Sequence, residues 1–416
     1  MKKFIIISAV LLLLASGAFG FALYRYMQVN DMFSAKEPAS SETSAEKSGE
    51  KTKATESKTV KSDDNSSSDT ANLFAANADK ASAYVSDLTT EEMVGQLVMG
   101  ICADSSTASS EIQKYSLAGM LFESANFQGL SKEEIAAVTQ KATAEAKTKP
   151  ILAAQEEGGS YTTLSDLPVF SEYDFNSPRT EFDAGGLQAV EKAEDGKTTM
   201  LKSMGFNLNL APVIDLASSS DQMMYSRSIS DDVDTVSSYA EYTAKFDQAK
   251  GVSIALKHFP GYGTIPDSAY TGGVGAVTDE RDAETIRSKD YTPFKKGVAA
   301  GAHFVMVSNV LVKNIDSAHT AALSPTIHTE LRGTVGFSGV IMTDILDETD
   351  YSAYAEGKKP AVQAVLAGND IVLVRDYATA YNDILAAAKD GTISESQLKE
   401  ACTRVIAYKY TAGIMK

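Results

Sequence analysis

The amino-acid sequence predicts an α/β protein, a (β/α)8 TIM barrel preceded by an N-terminal membrane anchor or signal and a disordered linker. From residue 73 onward, short β-branched apolar runs alternate with longer stretches of helical period, which is the pattern of parallel α/β proteins. Eight such runs can be counted, and eight βα units imply a closed barrel. Too few residues follow Arg375 to form a second domain of the usual size.

Composition and charge exclude several classes of function. The 416 residues include 38 Lys and Arg against 55 Asp and Glu, a formal net charge of −17, and no stretch concentrates the basic residues. Binding to nucleic acid is therefore not expected. The four histidines and two cysteines have the spacing of neither a zinc motif nor a disulfide framework, so no metal or organic cofactor is expected.

Residues 1–26 predict a signal peptide or a transmembrane anchor. Lys2 and Lys3 precede an uncharged, mostly apolar run at 4–23, and Tyr-Arg-Tyr follows it. As a helix rising about 1.5 Å per residue, this run is long enough to span the hydrocarbon core, which favours an uncleaved anchor with the folded domain outside. Small residues at 15–18 leave a cleaved signal peptide as the alternative. Either form predicts an extracytoplasmic protein of a bacterial cell envelope, membrane-anchored or secreted, whose N-terminal segment has the membrane as its partner.

Residues 27–72 predict a disordered linker, and residues 73–416 predict the barrel domain. Between residues 31 and 69 the chain is rich in Ser, Thr, Lys, Glu and Asp and has almost no large apolar side chains. Such a composition cannot bury enough apolar surface to offset the entropy lost on ordering. A coil of this length spans on average about 40 Å, which would hold a folded domain away from a membrane.

The barrel prediction depends on the order of its elements along the chain. The predicted strands lie at residues 97–102, 118–122, 151–155, 207–211, 253–257, 303–308, 339–343 and 370–375. The amphipathic segments between them include residues 132–147, 187–204, 233–250 and 282–300. A doubly wound open sheet is the alternative, but no Gly-x-Gly-x-x-Gly opens a helix after the first strand and no P-loop is present.

Polar side chains cluster where the predicted strands end, the face on which barrels carry their chemistry. The third strand ends in Gln-Glu-Glu-Gly-Gly at 155–159, and the fifth ends in Lys-His-Phe-Pro-Gly at 257–261. Asp344 ends the seventh strand, and Asp376 follows the eighth. Hydrolysis of a glycosidic bond needs an acid and a carboxylate on either side of it, with donors that hold the sugar hydroxyls. The strand ends therefore indicate carbohydrate chemistry.

Several of these stretches resemble one known family. Lys-His-Phe-Pro-Gly-Tyr-Gly at 257–263, followed by Asp267 and Ser268, resembles the Lys-His-Phe-Pro-Gly-His-Gly…Asp-Ser-His signature of glycoside hydrolase family 3, in its single-domain β-N-acetylglucosaminidase (β-N-acetylhexosaminidase) branch. The resemblance covers about residues 88–415. Its other matching stretches, in the same order as in the family, are residues 88–96, 205–215, 227–228 and 331–344.

The resemblance implies a retaining hydrolase, in which an Asp at the end of the seventh strand attacks the anomeric carbon. Asp344 occupies the position of that nucleophile. Lys257 and His258 correspond to residues that hold the hydroxyls of the sugar, and Arg227 corresponds to a residue that contacts the substrate. A lysine beside the site also keeps a carboxylate ionised.

The chain departs from the family at the general acid/base. The family has a histidine where this chain has Ala269, so assistance worth typically about 10²–10⁴-fold is expected to be lost unless another group supplies it. Asp267 is a candidate acid/base or the remnant of a dyad. Tyr270 and Glu157 are further candidates, although a carboxylate beside another carboxylate would need a raised pKa to act as the acid.

Two functions follow from the sequence. The first is an exported glycoside hydrolase that releases terminal β-linked N-acetylhexosamine from cell-wall or related glycans, and the retained Asp344 favours it. The alternative is a catalytically impaired barrel that acts as a glycan-binding or scaffold protein at the cell surface. It is favoured by the clustered departures from the family at Gln155, Ser160, Thr163 and Ala269. In both, the partner is an amino-sugar glycan.

The side chains that would stack on a sugar ring must be Phe or Tyr, because the sequence has no tryptophan. The candidates are Phe259, Tyr225 and Tyr262, and each fits equally well as a core or rim residue.

Overall fold

The structure is a computed structural model that describes residues 73–269, 276–346 and 351–416. The predicted anchor or signal at 1–26 and the predicted linker at 27–72 lie outside the described residues. Within the described parts of the chain, no helix has both the length and the apolar character needed to cross a membrane.

Eight parallel strands form the barrel; the first seven pair with one another in chain order, and the eighth pairs with the first. One parallel bridge, between Met342 and Ile371, joins the last strand to the seventh and closes the ring. The prediction of a (β/α)8 barrel is confirmed, and the doubly wound alternative is wrong. The strands are β1 (Val98–Ile101), β2 (Gly119–Leu121), β3 (Ile151–Ala154), β4 (Leu208–Asn209), β5 (Ser253–Phe259), β6 (Phe304–Val307), β7 (Val340–Thr343) and β8 (Val372–Val374).

Helices surround the barrel, as expected for βα units. They are α1 (Ala78–Ser86), α2 (Thr90–Gly95), α3 (Ala108–Tyr115), α4 (Lys132–Glu145), α5 (Pro178–Ser203), α6 (Val233–Lys250), α7 (Tyr291–Ala299), α8 (Pro325–Gly333), α9 (Pro360–Ala367), α10 (Tyr377–Lys389) and α11 (Glu395–Thr411). A short helix, Ala283–Thr285, and a π-helical turn, Ile286–Asp290, precede α7. A two-stranded parallel pair, Thr278–Asp279 with Leu311–Val312, lies outside the barrel sheet.

The eight strands lie where the sequence predicts them, and every residue in them is buried. Strands covered on both faces read as continuous apolar runs rather than as an alternation. Each observed strand begins and ends within two residues of its prediction. Residues 342 and 371 meet at the closing bridge, and the backbone N–H of Leu373 adds a hydrogen bond of 3.0 Å to the hydroxyl of Thr343.

Helix α5 departs from its prediction, because it begins at Pro178 instead of near residue 187. Ser177 caps the earlier start by accepting a hydrogen bond from the backbone N–H of Thr180, and Pro178 occupies the first turn, where its missing N–H costs nothing. Gly185 and Gly186 then have non-helical backbone angles, so the helix is broken there. The break interrupts the apolar period and hides the first segment from a search for helical periodicity.

Candidate active site

Asp344 lies directly after β7, on the face where the strands end. Its backbone N–H donates to the carbonyl of Val307, the last residue of β6, at 2.8 Å. Its Oδ1 accepts a hydrogen bond of 2.7 Å from the backbone N–H of Ile345, and the hydroxyl of Tyr262 lies 3.5 Å from Oδ2. The carboxylate is half-buried, and it opens into a cleft of about 770 Å³. The backbone thus fixes the direction in which the carboxylate points.

The cleft collects side chains from the ends of several strands, as the sequence predicts for a barrel. Lys257, His258, Arg227, Asp267 and Asp344 all line it, so the structure brings the five predicted site residues to one place. Lys257 and His258 are adjacent in β5, and adjacent strand residues ordinarily point to opposite faces. The register of β5 against β6 shifts between Leu256 and Phe259, and this irregularity lets both side chains reach the cleft.

Glu157 is the centre of a buried ionic cluster at the base of the cleft. Its carboxylate accepts two hydrogen bonds from Arg227, of 2.8 and 2.7 Å, and lies 2.5 Å from Nζ of Lys257. Burial alone would raise the pKa of Glu157, but the charges of Arg227 and Lys257 outweigh it and hold the pKa well below its ordinary value. Glu157 therefore stays ionised and does not fit the role of a proton donor.

The two cations of this cluster are committed to Glu157. Burial lowers the pKa of Lys257, while the negative charges of Glu157 and Asp344 oppose that shift. The Nε and one terminal nitrogen of Arg227 both bind Glu157, and that terminal nitrogen also lies 3.4 Å from Nε2 of His258. The assignment of Lys257 and Arg227 as substrate contacts stays a prediction, but their observed partners are protein groups.

His258 is held in one orientation by a buried carboxylate. Its Nδ1 lies 2.7 Å from Oδ2 of Asp215, and the backbone N–H of Tyr262 donates to the other oxygen of Asp215 at 2.8 Å. A carboxylate only accepts, so Nδ1 is the donor to Asp215, and Nε2 is the ring nitrogen that faces Arg227. Asp215 was not assigned a role from the sequence, although its position after the fourth strand is the signal that could have identified it.

Tyr262 stands where the resemblance predicts a histidine. Its ring packs edge-on against the ring of His258, with 5.1 Å between the centroids, and only 8% of the residue is exposed. Burial and the negative charge of Asp344 raise the pKa of Tyr262 well above its ordinary value. The hydroxyl therefore keeps its proton and can donate to the nucleophile.

Asp267 lies at the exposed rim of the cleft, within the short helix Asp267–Ala269. Its backbone N–H donates to the carbonyl of Asp221 at 2.7 Å, which fixes the start of this turn. Ala269, in the position of the family's histidine, is also exposed. Tyr270, the further candidate acid, lies outside the described residues.

The remaining departures from the family lie in the turn after β3. Gln155 donates through Nε2 to Glu157 at 2.8 Å, and its backbone N–H donates to the hydroxyl of Thr163 at 2.9 Å. Thr163 is buried and its hydroxyl also donates to the carbonyl of Phe122, whereas Ser160 is exposed. None of these three side chains brings a positive charge to the cleft.

Two of the three predicted stacking residues lie away from the cleft surface. Phe259 is fully buried against Tyr291 and Phe294, and Tyr225 lies over the guanidinium of Arg179 at 4.5 Å. Neither lines the cleft, because an aromatic ring in β5 or beside Arg179 is used for internal packing. Phe259 is therefore a core residue, the alternative that the sequence left open for it, and Tyr225 lies outside the lining of the cleft, whereas Tyr262 does line the cleft.

Two further aromatic residues, Tyr161 and Tyr351, line the cleft and were not identified from the sequence. The ring of Tyr161 lies over the guanidinium of Arg227 at 4.1 Å. The signal for Tyr161 in the sequence was an aromatic residue directly after the Gly-Gly turn that ends the third strand.

Comparison with known proteins identifies relatives with the same arrangement of elements. The family model described as "Glycosyl hydrolase family 3 N terminal domain" matches residues 89–408. A protein named beta-hexosaminidase from Xylella fastidiosa (strain M12) is 30% identical over 285 residues, which are 66% of this chain and 81% of the relative.

Two solved structures are also similar. A beta-N-acetylhexosaminidase from Beutenbergia cavernae DSM 12333 superposes with a TM-score of 0.68 and 28% identity, over 78% of this chain and 99% of that one. A glycoside hydrolase family 3 beta-N-acetylglucosaminidase from Paenibacillus sp. str. FPU-7 superposes with a TM-score of 0.69 and 25% identity. The superposition covers 79% of this chain and 63% of the Paenibacillus chain, so this chain matches less than two thirds of that enzyme.

Proposed function

The chain belongs to glycoside hydrolase family 3, and from that membership we propose that it is an exported enzyme that releases terminal β-linked N-acetylhexosamine from cell-wall or related glycans. Membership makes the protein a glycoside hydrolase with β-hexosaminidase-like function. Export, the identity of the glycan and the course of the reaction belong to the proposal.

The observation that carries the proposal is the placement of Asp344 in a cleft beside Tyr262 and the buried cluster around Glu157. An oxygen of Asp344 attacks the anomeric carbon, the bond from that carbon to the leaving-group oxygen breaks, and a glycosyl-enzyme ester forms. Water then attacks the same carbon, gives up a proton and releases Asp344 as a carboxylate. Two inversions at one carbon retain the configuration of the sugar.

The proton supply is the unusual feature of this site. Among the described residues of the cleft, Glu157 is held ionised and Tyr262 keeps its proton beside the nucleophile. Asp267 and Asp376 are exposed carboxylates that line the cleft, and Asp376 is engaged as a helix cap by two hydrogen bonds from Thr379. We therefore infer that Asp267 supplies whatever acid/base assistance the site has. Leaving groups that are stable as anions need no proton, so they should react in the first step, whereas the second step depends on this exposed carboxylate alone as its base and should be slow.

The test is to expose the purified protein to an aryl β-N-acetylglucosaminide and to analyse it by intact-protein mass spectrometry. We expect the aryl group to be released and a glycosyl adduct to accumulate on Asp344. Azide should accelerate turnover, because it attacks the intermediate without deprotonation. The variant Asp344→Asn should form no adduct and release no aryl group.

One set of results would favour the second candidate function. If no adduct forms, azide has no effect and chitobiose still binds, the hydrolase proposal is wrong. The clustered departures at Gln155, Ser160, Thr163 and Ala269 would then belong to a glycan-binding or scaffold protein.

A further inference from the structure

Within residues 73–269, 276–346 and 351–416, Tyr161 is the one large apolar side chain that is exposed to solvent. It is 42% exposed and lines the cleft that contains Asp344. Aromatic side chains are a usual part of the lining of clefts that bind small molecules. The position of this ring in the cleft, rather than its exposure alone, makes it a candidate contact for a ligand.

The ring of Tyr161 is held rigidly from below. Its lower face lies over the guanidinium of Arg227 at 4.1 Å, and Arg227 is itself fixed by two hydrogen bonds to the buried carboxylate of Glu157. Because Arg227 covers one face and the side chain is 42% exposed, the opposite face is available to a ligand. We call Tyr161 and Arg227 together the stacking platform.

The backbone around Tyr161 is also constrained. The N–H of Glu157 donates to the carbonyl of Tyr161 at 2.9 Å, and the N–H of Tyr161 donates to the carbonyl of Gly158 at 3.3 Å. This tight turn requires positive φ angles, 101° at Gly158 and 61° at Gly159, which glycine adopts without a steric penalty. A surface that is ordered before binding loses little entropy when the ligand arrives.

The depth of the cleft separates the platform from the place of reaction. Lys257 and His258 are 2% and 3% exposed, whereas Asp344 is half-buried in the same cleft. A sugar whose anomeric carbon reaches Asp344 must therefore enter the buried part of the cleft. Tyr161 is the exposed aromatic member of the same lining, which is the position expected for a contact with the next sugar ring.

We propose that the stacking platform binds the pyranose ring on the leaving-group side of the scissile bond, so that the protein recognises β-linked amino-sugar disaccharides and longer chains better than single sugars. The inference rests on the proposed function. A β-linked pyranose of gluco configuration carries its substituents equatorially, so its axial C–H groups form an apolar face that matches an aromatic ring. Ser160 and Thr163 carry no positive charge, so they cannot form an ion pair with a ligand. The affinity at this position therefore comes from the face of the Tyr161 ring.

The experiment measures binding in the Asp344→Asn variant, which does not consume its ligand. Isothermal titration calorimetry gives dissociation constants for N-acetylglucosamine and for chitobiose, before and after the further substitution Tyr161→Ala. We expect Tyr161→Ala to weaken chitobiose about tenfold and to change N-acetylglucosamine less than about twofold, since stacking on one aromatic ring is worth about one factor of ten. Tyr161→Phe, which keeps the ring, should bind both ligands as the parent does.

Tyr225 supplies the matched control, because its ring also lies over an arginine, Arg179, but it does not line the cleft. Tyr225→Ala should leave both dissociation constants unchanged. If Tyr161→Ala weakens both ligands equally, or neither, the proposal is overturned.

The proposed function and the stacking-platform proposal can be refuted independently of each other. A parent chain that releases no N-acetylhexosamine but still binds chitobiose through Tyr161 refutes the hydrolase and supports the platform. A parent that hydrolyses the substrate while Tyr161→Ala binds chitobiose normally refutes the platform alone. A parent that neither hydrolyses nor binds these sugars refutes both.

Discussion

At the scale of single residues, the hydroxyl of Tyr262 is the side-chain group that contacts Oδ2 of Asp344, at 3.5 Å. A donor to a carboxylate stabilises its charged form, so removing the donor makes the carboxylate easier to protonate. We expect Tyr262→Phe to lower kcat/KM on an aryl β-N-acetylglucosaminide about tenfold, the size of one modest hydrogen bond to a charged group. The acidic limb of the pH profile of kcat/KM should move to higher pH.

The control for this prediction is Tyr291→Phe, since the hydroxyl of Tyr291 donates to Glu330 at 2.6 Å and does not line the cleft. This variant should lose some thermal stability and keep the parental pH profile. Parallel profiles for Tyr262→Phe and the parent would show that the hydroxyl does not act on Asp344.

Residue identities alone could predict which positions form the site, because the family motifs place Lys257, His258 and Asp344 at strand ends. They could not predict the partners of these side chains. Glu157 meets Arg227 across 70 positions of sequence, and only the folded barrel shows that this carboxylate is already neutralised. Tyr161 was missed for the same reason, since its importance comes from the guanidinium beneath it.

At the scale of elements, α11 carries a lysine in the hydrophobic core. Lys409 is fully buried and donates to Oε1 of Gln96 at 2.6 Å. Burial lowers the pKa of Lys409 from its ordinary value of 10.5 to about 7. Between pH 7 and 10.5, Lys409 is protonated to a larger extent in the unfolded chain than in the folded chain. The contribution of Lys409 to the free energy of unfolding therefore rises with pH.

We therefore expect the free energy of unfolding of the parent, relative to that of Lys409→Met, to increase as the pH rises from about 7 to 10. Near pH 7 and below, Lys409→Met should be the more stable protein, because it removes the cost of burying an ammonium group. Urea denaturation at a series of pH values measures both effects. Lys399→Met, at an exposed position of α11, should show no such pH dependence, and an equal slope for both variants would contradict the prediction.

The elements themselves were largely predictable, for a physical reason. Strands buried on both faces require unbroken apolar runs, and these are visible in the sequence without knowledge of the fold. Helix α5 was predicted incompletely because Gly185 and Gly186 break its period. The irregular register of β5, which brings Lys257 and His258 to one cleft, arises from pairing with β6 and has no counterpart in local sequence.

At the scale of the whole molecule, we predict that the N-terminal segment determines where the barrel acts. The apolar run at 4–23 is long enough to span a membrane, and we expect the full-length protein to sediment with membranes. Fractionation of producing cells, followed by N-terminal sequencing, measures this. Recovery of a soluble form that begins near Phe19 or Phe21 would show instead that the segment is a cleaved signal.

The closure of the ring has a consequence for how the protein becomes an enzyme. The parallel bridge between Met342 and Ile371 closes the barrel at the strand that carries Asp344, whereas Lys257, His258 and Arg227 belong to the part of the chain already joined through β1 to β6. Because β7 also pairs with β6 over four residues and the N–H of Asp344 donates to Val307, a chain whose last two strands have not yet met would already hold Asp344 beside Lys257 and His258. What the closing bridge adds is the wall of the cleft that Leu373 and Val374 line, so an unclosed barrel would carry its nucleophile in a cleft that is open on one side.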